Sequence, residues 1–237
     1  MKILGVDSSG MVASVAIICD DILVAEYSVN YKKTHSETLL PMLDEIVRMT
    51  EQSIEDIDAI AIAAGPGSFT GLRIGAATVK GLGLALDKPV ISVPTCHALA
   101  YNLWGATNLV CPIMDARRNQ VYTGIYRFEN GVQKVVYDQN AIDIQELVSY
   151  INSLKEPVIF VGDGVPVYKT AILDSIKVEC SFAPAHLNRQ RAGAVASLGA
   201  IYYKQGIFEN ADDHKPIYLR KSQAEREREE KEKGNGI

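Results

Sequence analysis

The chain has 237 residues, 47% hydrophobic and 22% charged, with a formal net charge of −5. Its length supports one large or two small domains and buries roughly 70–75% of the extended-chain surface, so no disulfide or metal staple is required. The acidic balance argues against a free-standing nucleic-acid binder, because the phosphate attraction must come from Lys and Arg; a local basic patch or a partner would have to supply it. Cys19, Cys96, Cys111 and Cys180 form no CxxC pair. Asp7 falls where a signal peptide needs its apolar run, and no stretch approaches the ~20 apolar residues of a membrane span. A reduced, cytoplasmic protein without membrane contact is expected.

In chain order, Lys2–Val6 reads as a buried strand ending at Asp7, followed by turn chemistry at Ser8-Ser9-Gly10. Met11–Cys19 and Ile22–Val29 complete a three-stranded meander. Thr34-His35-Ser36-Glu37 has the pattern of a capping box opening a helix to about Met49, with Pro41 as a kink or tight first turn. Ser53–Asp56 reads as one capped turn. Asp58–Ala64 is a strand stopped by Gly65-Pro66-Gly67, then comes a helix from Phe69 to Leu86, a strand at Pro89–Val93 and a helix at Thr95–Trp104.

The order β-β-β-α-β-α-β-α then begins again. Leu109–Met114 is a strand ending at Asp115, Gln120–Phe128 and Val132–Tyr137 form a hairpin, and Asp143–Leu154 is a helix. Val158–Val161 is a strand stopped by Gly162-Asp163-Gly164, and a helix spans about Arg191 to Gln205. The repeat of element order predicts two α/β lobes with a cleft between them: residues 1–105, residues 106–220, and a charged, solvated tail at 221–237. Ten of the seventeen tail residues are charged, five of each sign, which suits a solvated helix with i,i+4 ion pairs or a frayed end.

Two helices are too apolar for a single sheet contact. Leu39, Leu40, Met42, Leu43, Ile46, Val47 and Met49 span an arc of roughly 180° at ~100° per residue, where about 100° suffices. In the helix Phe69–Leu86, Gly67, Gly71 and Gly75 recur every four residues, as do Ala77, Gly81 and Ala85. Small residues in such lines let backbones approach closely. Burial inside one domain and a protein–protein interface both account for this pattern.

Motifs of chemistry are sparse. Gly65–Gly71 lies between a strand and a helix but lacks the Lys-Ser/Thr of a P-loop and the GxGxxG spacing. Asp7, Ser8 and Ser9, with Asp115 and with Gly162 and Asp163, are compatible with a nucleotide turn and equally with ordinary turns. His35, His97, His186 and His214 include no i,i+4 metal pair. Ser68 has no nucleophile elbow. Arg117-Arg118 and Arg189 with Arg191 are the positions suited to touching a nucleic-acid backbone.

Together, His35-Ser36-Glu37-Thr38-Leu39-Leu40-Pro41, Gly65–Gly75 reading GPGSFTGLRIG, Lys80-Gly81-Leu82, Met114–Tyr122 reading MDARRNQVY, and Pro216–Arg220 reading PIYLR resemble the TsaB family over residues 3–220. The resemblance implies an α/β fold of two actin/Hsp70/sugar-kinase-like (ASKHA, RNase H-like) lobes, each a mixed sheet flanked by helices. It implies a non-catalytic scaffold for threonylcarbamoyladenosine (t6A) modification of tRNA beside the anticodon. The partners it implies are a metal-containing catalytic paralogue of the TsaD type and a small P-loop ATPase of the TsaE type, with tRNA reached only through the complex and self-pairing when the chain is alone. The partner face is expected at His35, Leu39, Leu40, Leu43, Ile46, Val47, Leu72, Arg73, Ala76, Ala77 and Val79, with Ile74 adding close packing. Leu43→Glu is expected to abolish partner binding while leaving the chain folded. No catalytic or metal residue is assigned; ATP or ADP with Mg²⁺ at a degenerate site built on Asp7 is the cofactor candidate. Two other classes stand beside this one: an ATP-dependent small-molecule kinase of the same fold, and a glycopeptidase-like hydrolase.

Overall fold

A computed structural model describes residues 1–31 and 34–220; the charged tail and any role for it lie outside the described residues. The first sheet contains β1 (Lys2–Asp7), β2 (Val12–Cys19), β3 (Ile22–Asn30), β4 (Ala59–Gly65) and β5 (Val90–Pro94) in the order β3-β2-β1-β4-β5. The second contains β6 (Leu109–Asp115), β7 (Gln120–Glu129), β8 (Val132–Asp143), β9 (Val158–Val161) and β10 (Cys180–Phe182) in the order β10-β9-β6-β7-β8. Reversed, the second order is the first with each strand replaced by its counterpart. Each sheet has two antiparallel pairs and two parallel pairs. The parallel strands are joined by crossover helices, as parallel pairing requires.

The helices complete the repeat. α1 (His35–Thr50) and α2 (Phe69–Leu86) cover one face of the first sheet, as α4 (Ile144–Leu154) and α5 (Val165–Ser175) cover one face of the second. α3 (Thr95–Tyr101) and α6 (Ala192–Lys204) follow the last strand of each half. The sequence reading lacked α5 and β10. β10 has only three residues, and the buried stripe of α5 (Val165, Tyr168, Ile172) is blurred by the exposed Val167 and Leu173.

Alternation along β4 explains the two faces of the first sheet. Ile60 and Ile62 point into the core under α1 and α2, with Leu4, Val6, Leu39, Met42, Leu43, Ile46 and Val79. Ala59, Ala61 and Ala63 point the other way, where α6 packs through Val195, Ala196 and Leu198. Small residues there admit a close helix: a Cβ on Gly199 would stand 2.4 Å from the Ala61 Cβ. The α6 N-terminus is tied to the same sheet, with Ala192 N–H donating to Ser14 Oγ at 2.9 Å and Gly193 N–H donating to Glu26 at 2.8 Å. Arg191 pairs with the same carboxylate. α6, which lies in the 106–220 stretch, thus packs on the first sheet.

The stretch after α6 also returns to the first lobe. Glu209 bridges Val90 beside β5, Lys80 Nζ donates to the Asp212 carbonyl at 2.8 Å, and Ile217 N–H donates to the Ala64 carbonyl at 2.7 Å. Arg220 then reaches the second lobe, donating to the Ala116 carbonyl at 2.6 Å. Among the described residues, no helix is long and apolar enough to cross a membrane.

Candidate functional site: a helix face and an interlobe cleft

Thr34 is the N-cap of α1, but the capping box does not form: Thr34 makes no side-chain cap bond, and its Oγ1 lies 3.2 Å from Ser36 Oγ. Pro41 sits inside one continuous helix. Ser68 caps α2, its Oγ accepting from Gly71 N–H at 3.3 Å.

The expected partner face divides in two. Leu39, Leu43, Ile46 and Val79 are buried in the core on their own sheet, and Leu72 and Ala76 are buried as well, so they cannot form a partner surface without rearrangement of the lobe. Val47 and Ile74 pack against the rim of that core. Leu40, 53% exposed, faces outward together with Arg73 and Ala77. His35 Nε2 donates to the Gly10 carbonyl at 2.9 Å, which ties the start of α1 to the β1–β2 turn.

The two lines of small residues on α2 face opposite ways. Cβ atoms on Gly67 and Gly71 would stand 2.2 and 2.1 Å from the carbonyl oxygens of Ser9 and Ser8, and one on Gly75 would stand 2.2 Å from Ser8 Oγ. This line is intramolecular and seats α2 on the β1–β2 turn. Ala77, Gly81 and Ala85 are exposed, and Gly81 opens onto empty space. On α2 the exposed Leu84 lies among these small residues, with Arg73 exposed one turn before Ala77, whereas α1 exposes Leu40 and Met49 among Ser36, Glu37, Asp44 and Arg48.

A cleft of about 470 Å³ lies between the lobes, lined by the β1–β2 turn, the start of α2, the β6–β7 turn, Asp163 and the 217–220 segment. Asp7 lies beneath it, 1% exposed. Its Oδ1 accepts from Ser9 N–H at 2.9 Å and from Ser9 Oγ at 2.7 Å. Burial pushes its carboxyl up to about 6, against the pull of the Ser9 bonds, with Asp163 adding to the rise. Ser8 Oγ donates to the Gly71 carbonyl at 2.9 Å, and Ser68 N–H donates to the Ser9 carbonyl at 2.7 Å. Burial also raises Asp163, opposed by Arg189, and its Oδ1 is buried without a partner. Asp115 Oδ1 accepts from Arg117 N–H at 2.8 Å and from the Tyr168 hydroxyl at 2.9 Å. Gly162, at φ +121°, presses against the Ile113 carbonyl.

These residues do not fit a Mg²⁺-nucleotide. The Asp7 carboxyl is enclosed and directed at Ser9, and α2 closes on the turn that would cradle phosphate. No group of three or more His, Cys, Asp or Glu among the described residues is placed to hold a metal.

The sequence singles out Arg117 and Arg118 but not the aromatic pair Phe69 and Tyr218, which lines the cleft with Arg117 and Arg220. Phe69 and Tyr218 stack with ring centroids 4.3 Å apart, and the Arg73 guanidinium lies 4.3 Å over Phe69. Arg117, Arg118 and Asn119 adopt φ of +63°, +56° and +60°. Three consecutive left-handed residues that are not glycine carry a cost of about 1–2 kcal/mol each, although Asn tolerates the region best. The signals were the spacing of Phe69 from PIYLR and the Arg-Arg-Asn run, which only the fold brings together.

Elsewhere, His214 Nδ1 lies 3.0 Å from Ser92 Oγ and 2.9 Å from Glu209 Oε1. Both groups meet at the same ring nitrogen, so this is an anchor and not a nucleophile relay. His97 packs edge-on to Tyr126 at 4.9 Å, and burial lowers its pKa.

A family model described as "TsaD: tRNA N6-adenosine threonylcarbamoyltransferase" matches residues 23–228. The Bacillus subtilis (strain 168) "tRNA threonylcarbamoyladenosine biosynthesis protein TsaB" is 36% identical over 231 residues, covering 95% of this chain and 96% of the relative. Among solved structures, "YeaZ from Pseudomonas aeruginosa" superposes with a TM-score of 0.79 at 24% identity, over 92% of this chain and 99% of that one. A polyphosphate/ATP-glucomannokinase from Arthrobacter sp. strain KM superposes with a TM-score of 0.51 at 14% identity, over 86% and 99%. These last two likenesses establish the sugar-kinase-like fold alone.

Proposed function

The chain belongs to the TsaB family of tRNA threonylcarbamoyladenosine biosynthesis proteins, and from that premise we propose that it is a non-catalytic scaffold of the t6A machinery. In this reading the outer face of α1 and α2 binds a catalytic paralogue of the TsaD type, and a small P-loop ATPase of the TsaE type joins the pair. The chain works in the cytoplasm, where it holds the paralogue in its active arrangement, and tRNA meets the assembly as a whole. Alone, the same face pairs with a second copy.

The observation that supports this reading is the outward line Ala77–Gly81–Ala85 with the exposed Leu84 on α2, together with the exposed Leu40 on α1. Small residues let a facing helix approach closely, and exposed leucines beside them supply apolar area. A specific contact of this kind removes at least about 1,000 Å² from water. The enclosed Asp7 and the three-way anchor at His214 favour neither the kinase nor the hydrolase alternative.

The test is co-elution with the paralogue. Leu40→Glu places a charge on the outer face and is expected to abolish co-elution while the circular dichroism spectrum stays that of the wild type. Retained co-elution would remove α1 from the interface.

A further inference from the structure

The outer line of α2 carries one charge that the fold leaves unpaired. α2 contains no acidic residue and two cations, Arg73 and Lys80. Lys80 Nζ donates to the Asp212 carbonyl at 2.8 Å. Arg73 is exposed, and among the described residues it has no hydrogen bond or ion pair. Its guanidinium lies 4.3 Å over the Phe69 ring. Tyr218 stacks on the same ring, with centroids 4.3 Å apart and planes 24° from parallel. Two groups that close to one ring must lie on its opposite faces. Arg73 is thus the outer layer of a three-layer stack that fixes where its charge sits.

The stack engages the cation through a ring face, and the N–H donors of the guanidinium stay available to another group. Arg73 stands one turn before Ala77 on the same exposed line, roughly 12 Å along the helix from Gly81. An element that lies along Ala77–Gly81–Ala85 closely enough to use the small residues takes Arg73 out of water. A guanidinium that loses its water without gaining a partner is strongly unfavourable. A carboxylate meets its fork with two parallel hydrogen bonds. Charge complementarity therefore fixes the chemistry of the occupant.

We propose that Arg73 is the specificity residue of this face: the partner seated on α2 presents an aspartate or glutamate to its guanidinium, at the Phe69 end of the small-residue line. Phe69 and Tyr218 are positioning residues that hold the guanidinium for that pairing. The inference rests on the scaffold reading above and adds which partners fit. A facing helix with a carboxylate at that point is accepted, and one with a neutral or basic residue there is rejected.

The test measures the affinity of the full chain for the paralogue by titration calorimetry. Arg73→Glu is expected to weaken binding about thirtyfold or more. Arg73→Lys keeps the charge but loses the fork, and is expected to weaken it by roughly fivefold. Because Arg73 is exposed, both variants keep the wild-type melting temperature to within about 2 °C. The paralogue's exposed aspartates and glutamates are then replaced one at a time by lysine. One of these is expected to restore binding to Arg73→Glu and to weaken binding to the wild-type chain, a reciprocal effect that a loss of local structure does not produce. Wild-type affinity in Arg73→Glu overturns the proposal and leaves the scaffold reading standing. So does a loss of affinity that no single lysine substitution reverses. Absence of binding between the wild-type chain and the paralogue overturns the scaffold reading, and the proposal with it.

Discussion

Gly71 stands against Ser8 so closely that a Cβ on Gly71 would lie 2.1 Å from the Ser8 carbonyl oxygen. Backbone cannot yield as a flexible side chain can, so Gly71→Ala is expected to destabilise the protein by about 2–3 kcal/mol. Gly81→Ala is the control. Gly81 is exposed with nothing nearby, so the change gains helix propensity worth about 0.5–1 kcal/mol. Thermal denaturation of the two variants distinguishes the inward line from the outward one.

Leu40 and Leu43 are three residues apart on α1, yet Leu40 is exposed at the edge of the packed face and Leu43 is buried in it. Leu43 is 6% exposed in the core with Met42 and Ile46. Leu43→Glu buries a charge without a partner and is expected to unfold the first lobe, which corrects the expectation that it acts on assembly alone. Leu40→Glu is expected to change stability by no more than about 0.5 kcal/mol and to break co-elution. Urea denaturation together with size-exclusion chromatography checks both.

Asp7 gives a pH dependence with a definite sign. Its carboxyl is raised to about 6 from an ordinary 3.8. Between those values the folded state holds a proton that the unfolded state has released. Stability therefore falls as pH rises through that window and levels off above about 6. A rise of that size corresponds to a penalty on the order of 2–3 kcal/mol at neutral pH. Asp7→Asn can still accept the Ser9 bonds through its amide oxygen, and is expected to stabilise the protein at pH 8 with a gain that fades towards pH 4. Melting temperatures of both proteins across that range test it; a constant difference would contradict the assignment.

Much of this was legible in the sequence. Short apolar runs at β1, β2 and β4 and the glycine stops at Gly65 and Gly162 marked the two halves, and the order of elements announced the repeat. Its own logic required a crossover helix and a fifth strand after Gly162, which local patterning in Val165–Ser175 did not show. Helical periodicity identified α1 and α2 as doubly apolar, but it assigned no side of the helix to the sheet. Leu39 and Leu40 are neighbours in sequence, and only packing sends one inward and the other outward. The Phe69–Tyr218 stack escaped notice because the two residues lie far apart in the chain.

The segment after α6 fastens the first lobe from outside. Glu209 accepts from Ser92 Oγ at 2.7 Å and lies 2.9 Å from His214 Nδ1. Glu209→Ala leaves His214, buried at 1% exposure, with one fewer partner and is expected to cost about 1–3 kcal/mol. Hydrogen exchange is expected to rise first at Val90, whose N–H donates to the Glu209 carbonyl, and at Ile217. Unchanged exchange at Ile217 would mean that the anchor acts only locally.

The central claim is that this chain is needed as a scaffold through the outer face of α1 and α2. The most direct measurement quantifies t6A in tRNA incubated with the paralogue, the small ATPase and threonylcarbamoyl-adenylate, with this chain present, absent, or replaced by Leu40→Glu. The account predicts modification with the wild-type chain and its collapse in the other two. Equal modification in the absence of the chain would contradict it.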